Sequence, residues 1–211
     1  MKRSSRLAAG WGSIAFGVLT PVAIFVGGPM GGNYAASDVA AYISSGHVVV
    51  AGAMALLGLL GAAGLIALGA YLRQRAEAAG SGSIWPQTYW GLMLGSAICF
   101  AVSWGMFVSQ PIGNNEAGTN LNIPPTITYA IGISGDEVVF ESAATLLGFA
   151  LILMAITNLP PLPGWLRWSA LAVGVLGITS LAFFTFFPLL IWAIAMGVWL
   201  VAAKREPSVE S

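Results

Sequence analysis

Residues 48–72 read VVVAGAMALLGLLGAAGLIALGAYL, an unbroken apolar run that stops at Arg73. A hydrocarbon core of about 30 Å needs roughly 20 helical residues at 1.5 Å each. This run alone therefore predicts a membrane-crossing helix. Its small residues are ordered: Ala51, Ala55, Gly58, Ala62 and Gly69 fall at offsets of 0, 4, 7, 11 and 18, one stripe down a helix. Lipid tails are as apolar as leucine, so helices in a bilayer associate where small residues let backbones approach. Ala51, Ala55, Gly58 and Ala62 are expected to pack against at least two neighbours.

The same length argument gives further spans on both sides. They fall at about 7–28, 89–109 and 137–156, with Pro21 a kink in the first. The tract from Trp165 to Ala203 is too long for one crossing and has almost no polar loop inside it. Charge divides it. Arg167 lies near its start and Lys204 and Arg205 at its end, and only two crossings put all three on one side. The reversal is expected near Thr185–Pro188, because proline suits the first turn of a new helix, giving spans at about 166–184 and 188–203. The first 28 residues imitate a secretory signal, but the apolar run from Leu7 to Gly28 exceeds the 7–15 residues of a signal core. It is read as the first of six spans. The fold class expected is an all-α, polytopic bundle of six transmembrane helices forming one membrane domain over residues 1–211.

Charge placement orients the bundle. Lys2, Arg3 and Arg6 precede the first span, Arg73 and Arg75 follow the second, Arg167 follows the fourth, and Lys204 and Arg205 follow the sixth. The acids Asp38, Glu116, Asp136, Glu137 and Glu141 fall at the opposite ends. Cytoplasmic loops retain Lys and Arg, so both termini are expected inside. The chain is 57% hydrophobic and only 8% charged, against roughly 25% charged in a soluble domain. The lipid bilayer is thus its main partner. No concentrated basic face points to nucleic acid, and the single cysteine, Cys99, excludes an intramolecular disulfide or CxxC pair. No cofactor and no metal site is expected. The eight tryptophans fall mostly near span ends, as an aromatic belt does.

Other small-residue pairs sit at Gly91 and Gly95, a GxxxG extended by Cys99, and at Ala170, Gly174 and Gly177. Either they pack the bundle internally or one of them forms a homodimer or partner-protein seam. In the loop after the first span, Ser37 is expected to cap a short helix over Asp38–Ser45, with Val39, Tyr42 and Ile43 on one side.

One site can be drawn from these residues. Ser134 and Glu137 have capping-box spacing, which starts a helix near Ser134, unless the alternating tail Thr126-Ile127-Thr128-Tyr129-Ala130-Ile131, which either lies in the interface or begins the fourth span early, opens it upstream. Glu141 then lies one turn further in, sharing a face with Glu137, Ala144 and Gly148. An ionisable group inside a membrane segment is a functional candidate because burying it is costly. The opposing reading keeps Glu141 solvated among headgroups. His47, the only histidine, and Asp38 are expected at the same membrane level, where imidazole and carboxylates could hold a cation or relay protons.

Two resemblances bear on function. Gly132-Ile133-Ser134-Gly135 is similar to the GxSG nucleophile motif that opens the fourth core span of rhomboid intramembrane proteases. That resemblance implies a histidine base in the sixth span, where Leu189–Ala203 holds no titratable residue, so Ser134 lacks its activator. No catalytic residue is assigned. More broadly, the basic start, the segment Ala36-Ser37-Asp38-Val39-Ala40-Ala41-Tyr42 and the turn Leu162-Pro163-Gly164-Trp165-Leu166-Arg167-Trp168 resemble small six-span bacterial membrane proteins of unknown function. The usual Pro-Arg-Trp of that turn here reads Pro163-Gly164-Trp165, with arginine at 167. This resemblance implies a bacterial plasma membrane and a six-helix bundle.

Two function classes follow. The first is a non-enzymatic membrane protein, acting as an assembly subunit or binding a small apolar ligand between helices. The second is a proton- or cation-coupled permease using Glu141, with Glu137, His47 and Asp38 as its companions.

Overall fold

A computed structural model describes residues 3–27, 35–79, 83–115, 124–180 and 185–202, and no strand occurs among them. The helices are α1 (Arg3–Gly27), α2 (Ala36–Tyr42), α3 (Val48–Ala79), α4 (Trp85–Asn114), α5 (Pro125–Ile133), α6 (Glu141–Thr157), α7 (Gly164–Ile178) and α8 (Phe187–Ala202). A 3-10 turn, Ser45–His47, leads into α3. A π-helical segment, Ser134–Phe140, joins α5 to α6. Four runs are long and apolar enough to cross a membrane: Arg3–Gly27, Ser45–Ala79, Trp85–Asn114 and Pro125–Thr157. α7 and α8 are also apolar but shorter, at 15 and 16 residues.

Several boundaries differ from the sequence reading. The fourth run begins at Pro125, not at Ser134, and takes in Thr126–Ile131, the early start. Proline at the first helical position costs no backbone bond, and the Pro124 carbonyl accepts from the amides of Ile127 and Thr128. Ser134 is consequently inside a helix, where its hydroxyl donates to the Ala130 carbonyl at 2.9 Å and caps nothing. α2 begins one residue before Ser37 and has no side-chain cap. The helix expected over 166–184 ends at Ile178. There Thr179 and Thr185 both donate to the Leu176 carbonyl and so draw the chain back on itself. α8 then opens at Phe187 with Pro188 in its first turn.

Packing follows the small residues. α3 lies between α1 and α4, and α1 lies between α3 and α8. Gly12 and Gly64 bring α1 and α3 into backbone contact, and Gly10 and Gly197 do the same for α1 and α8. Gly148 meets Gly174 and Gly177 where α6 crosses α7. Serines tie the helices together across these gaps. Ser13 donates to the Ala193 carbonyl at 2.6 Å, Ser96 to Ala143 at 2.7 Å and Ser103 to Gly135 at 2.8 Å. Each bond satisfies a hydroxyl that lipid could not.

The stripe on α3 is enclosed: Ala51, Ala55, Gly58 and Ala62 are all buried. Trp104 of α4 lies where a side chain on Gly58 would stand. Gly91 and Gly95 are placed differently. Gly91 is exposed with open space around it, and a side chain at Gly95 would meet Leu146 at an ordinary 3.4 Å. Aromatic rings fill the centre, with Phe140 edge-on to Phe100, Trp104 and Phe186.

Candidate functional site

The site is built on the π-helical segment. Gly135 has no side chain, and Phe107 packs 2.8 Å from where a Cβ would be. The Ser103 hydroxyl reaches the Gly135 carbonyl from α4. The ladder widens past this point, and the Glu141 amide donates to the Asp136 carbonyl five residues back. A π turn takes in more residues than an α turn, so it alters the facing of residues spaced for an α-helix. Glu137 and Glu141 show the result: Glu137 is exposed, whereas Glu141 is 1% exposed.

Glu141 stands one turn from Ala144 and two turns from Gly148, and that face packs on α7. Gly177 sits against the Ala144 carbonyl and the Gly148 Cα, and Thr145 donates to the Gly177 carbonyl at 3.5 Å. Continuing along this side, Ser180 approaches the Glu141 carboxyl without completing a hydrogen bond. Among the described residues, neither Glu141 oxygen has a partner, and the Ser180 hydroxyl has none either. Asp136, half-buried, adds negative charge nearby. A carboxyl shut away from water without a hydrogen bond is costly. The chemistry open to it is uptake of a proton or of a small cation.

The remaining expected members lie elsewhere. The His47 Nε2 is 2.9 Å from the Gly27 carbonyl, and its ring packs on Tyr42 with centroids 4.8 Å apart. This fastens the start of α3 to the end of α1. Asp38 is exposed on α2. Among the described residues, no three His, Cys, Asp or Glu side chains converge as a metal-binding group. α2 itself is docked, with Val39, Tyr42 and Ile43 buried. The Tyr42 hydroxyl donates to the Phe107 carbonyl at 3.0 Å, and burial pushes its phenol above the ordinary tyrosine range. Asn115 Nδ2 donates to the Ile43 carbonyl at 2.7 Å. Ser134 is exposed beside an apolar groove with Met106 and Ile127.

Ser180 was absent from the sequence reading of the site. Its signal was present, because Ala170, Gly174, Gly177 and Ser180 continue one stripe at spacings of four, three and three. No family model matches the chain, and no curated protein and no solved structure matches it.

Proposed function

We propose that the chain is a six-span protein of a bacterial plasma membrane, with both termini cytoplasmic, acting as a proton- or cation-coupled permease through Glu141. The buried carboxyl of Glu141, without a hydrogen-bond partner among the described residues, carries this reading. Ionisable groups at membrane depth are retained for what they bind or pass on, and π segments recur at functional sites. Ser13, Ser96 and Ser103 are engaged by backbone carbonyls. A route past Glu141 therefore relies on helix movement or water, not on a standing file of side chains. The topology rests on the arginine and lysine placement, with α7 and α8 read as two crossings whose reversal before Pro188 returns Arg167 and Lys204 to one side. The membrane rests on the resemblance to small six-span bacterial proteins.

The test is reconstitution in liposomes holding a trapped pH indicator, with imposed proton, sodium or potassium gradients. The intact protein should dissipate a gradient and Glu141→Gln should not. Equal leak from both would remove the permease reading.

A second reading, the non-enzymatic assembly subunit, is favoured by the exposed face of α4. Gly91 and Gly105 there have open space where side chains would stand, and such positions suit close approach of another helix. An apolar ligand would be held in the Met106–Ile127 groove, since aromatic rings fill the bundle centre.

A further inference from the structure

Resting on the reading of Glu141 as the working group of a permease, we infer that the ion it holds is a proton. The Ser180 hydroxyl accepts the hydrogen bond of that proton, and Asp136 is the residue through which it enters.

The π turn makes the pairing. In a regular α-helix, residues five apart point about 140° away from each other. Asp136 would then face away from Glu141, and Glu137 would lie beneath it. The Glu141 amide instead donates to the Asp136 carbonyl, and this wider turn returns Asp136 to the Glu141 side. Of the two carboxylates on the segment, Asp136 bears more strongly on Glu141 than Glu137 does. Burial rises along the pair, with Asp136 half-buried and Glu141 sealed. Asp136 also lies toward the α2 end of the bundle. Ser103 of α4 meets Gly135 while Ser96 meets Ala143, and Tyr42 of α2 reaches α4 one turn past Ser103, at Phe107.

The oxygens on offer select the proton. A hard cation stripped of water is held by about six oxygens. Here Glu141 supplies two, Ser180 one, and Asp136 stands a turn away. The hydroxyls of Ser96, Ser103 and Thr145 are turned to the carbonyls of Ala143, Gly135 and Gly177. A proton needs a single acceptor. Ser180 is 2% exposed, has no partner among the described residues and approaches the carboxyl, and a hydroxyl oxygen can accept. In the transfer, protonated Asp136 gives its proton to ionised Glu141, directly or across one water. Asp136 is left ionised and Glu141 neutral, and the new Glu141 O–H donates to Ser180 Oγ. A neutral, hydrogen-bonded carboxyl escapes the cost of a buried bare charge.

The other titratable groups on the elements packed against α6 stand apart from this pair. Glu137 is exposed on the π segment, and α8 carries none. Tyr89 of α4 lies by Arg73 and Glu77, and Cys99 is half-buried on α4. Arg167 of α7 donates to the Ala155 carbonyl, about 20 Å along α6 from Glu141.

The experiment records infrared difference spectra of the purified protein in lipid after a step from alkaline to acidic pH. It reads the carbonyl stretch of a newly protonated carboxyl, which shifts in heavy water. The intact protein should show a band that Glu141→Gln lacks. Ser180→Ala should move that band to higher frequency, because its acceptor is gone. Asp136→Asn should slow its appearance about a hundredfold, the low end of what a positioned acid–base group contributes to proton transfer. Added azide, a small diffusible proton carrier, should restore the rate, and Glu137→Gln should not change it. If Asp136→Asn does not fold, Asp136→Ser carries the same rate and rescue measurements. Loss of the band when sodium chloride replaces choline chloride at constant pH would overturn the proton assignment. An unchanged rate in Asp136→Asn would overturn the entry role. The band requires no net flux, so liposomes that hold their gradients while the band persists would remove the permease and leave the proton site standing.

Discussion

The indole of Trp104 occupies the space in which a side chain on Gly58 would stand. The ring cannot easily yield, because Phe107 and Phe140 both meet it edge-on, at centroid distances of 5.8 and 6.0 Å. Gly58 is therefore fixed by the partner helix and not by its own backbone. We expect Gly58→Ala to lower stability by about 1–3 kcal/mol, the usual cost of overpacking. Thermal unfolding in detergent measures this, and an unchanged midpoint would show that the α3–α4 contact adjusts freely.

Gly91 and Gly105 predict the opposite sign. Nothing stands within 4 Å of a Cβ added at either position, and both lie inside α4. Alanine is the better helix former by about 0.8–1 kcal/mol. Gly91→Ala and Gly105→Ala should thus hold or raise the thermal midpoint of the monomer. If either one instead dissociates a native oligomer, measured by light scattering with bound detergent subtracted, that face is a protein seam.

The docking of α2 should weaken in alkali. Burial holds the Tyr42 phenol above its ordinary range, so the folded protein keeps a proton that the unfolded chain releases near pH 10. The sign follows from proton linkage: stability from this group is complete below about pH 10 and is lost as pH rises further. Tyr42→Phe removes the bond to the Phe107 carbonyl, costing about 1 kcal/mol, and should also flatten the alkaline decline. Unfolding midpoints of both proteins between about pH 9 and 11 decide it. Identical pH dependence in the two would assign the decline to other groups.

Much of this architecture could be read from the sequence because length and polarity alone define a helix that can cross a bilayer. Val39, Tyr42 and Ile43 also announced their shared side by spacing. Facing was harder. The Gly91–Gly95 pair and the Gly10–Gly17 pair both have helical spacing, yet only the second lies in a backbone crossing. In a membrane the outside of the bundle is as apolar as its inside, so spacing identifies a stripe without saying what it meets. The start of the fourth run had two readings, the capping-box spacing of Ser134 and Glu137 and an early start through Thr126–Ile131, and the second holds because the helix opens after Pro124. The π segment left no trace in residue pattern, and the residues that meet it at Gly135, Ser103 and Phe107, come from another helix. His47 looked like a site residue by chemistry, and its position against the Gly27 carbonyl makes it a fastener.

The hydrogen bond between Ser13 and Ala193 joins positions 180 residues apart. Translation completes α1 long before it begins α8. Throughout that interval the Ser13 hydroxyl and the notch at Gly10 and Gly17 have no α8 to close them. A nascent chain stopped anywhere before Phe187 leaves this polar, indented flank uncovered by α8. The same groove that seals the finished bundle thereby marks every unfinished copy as incomplete.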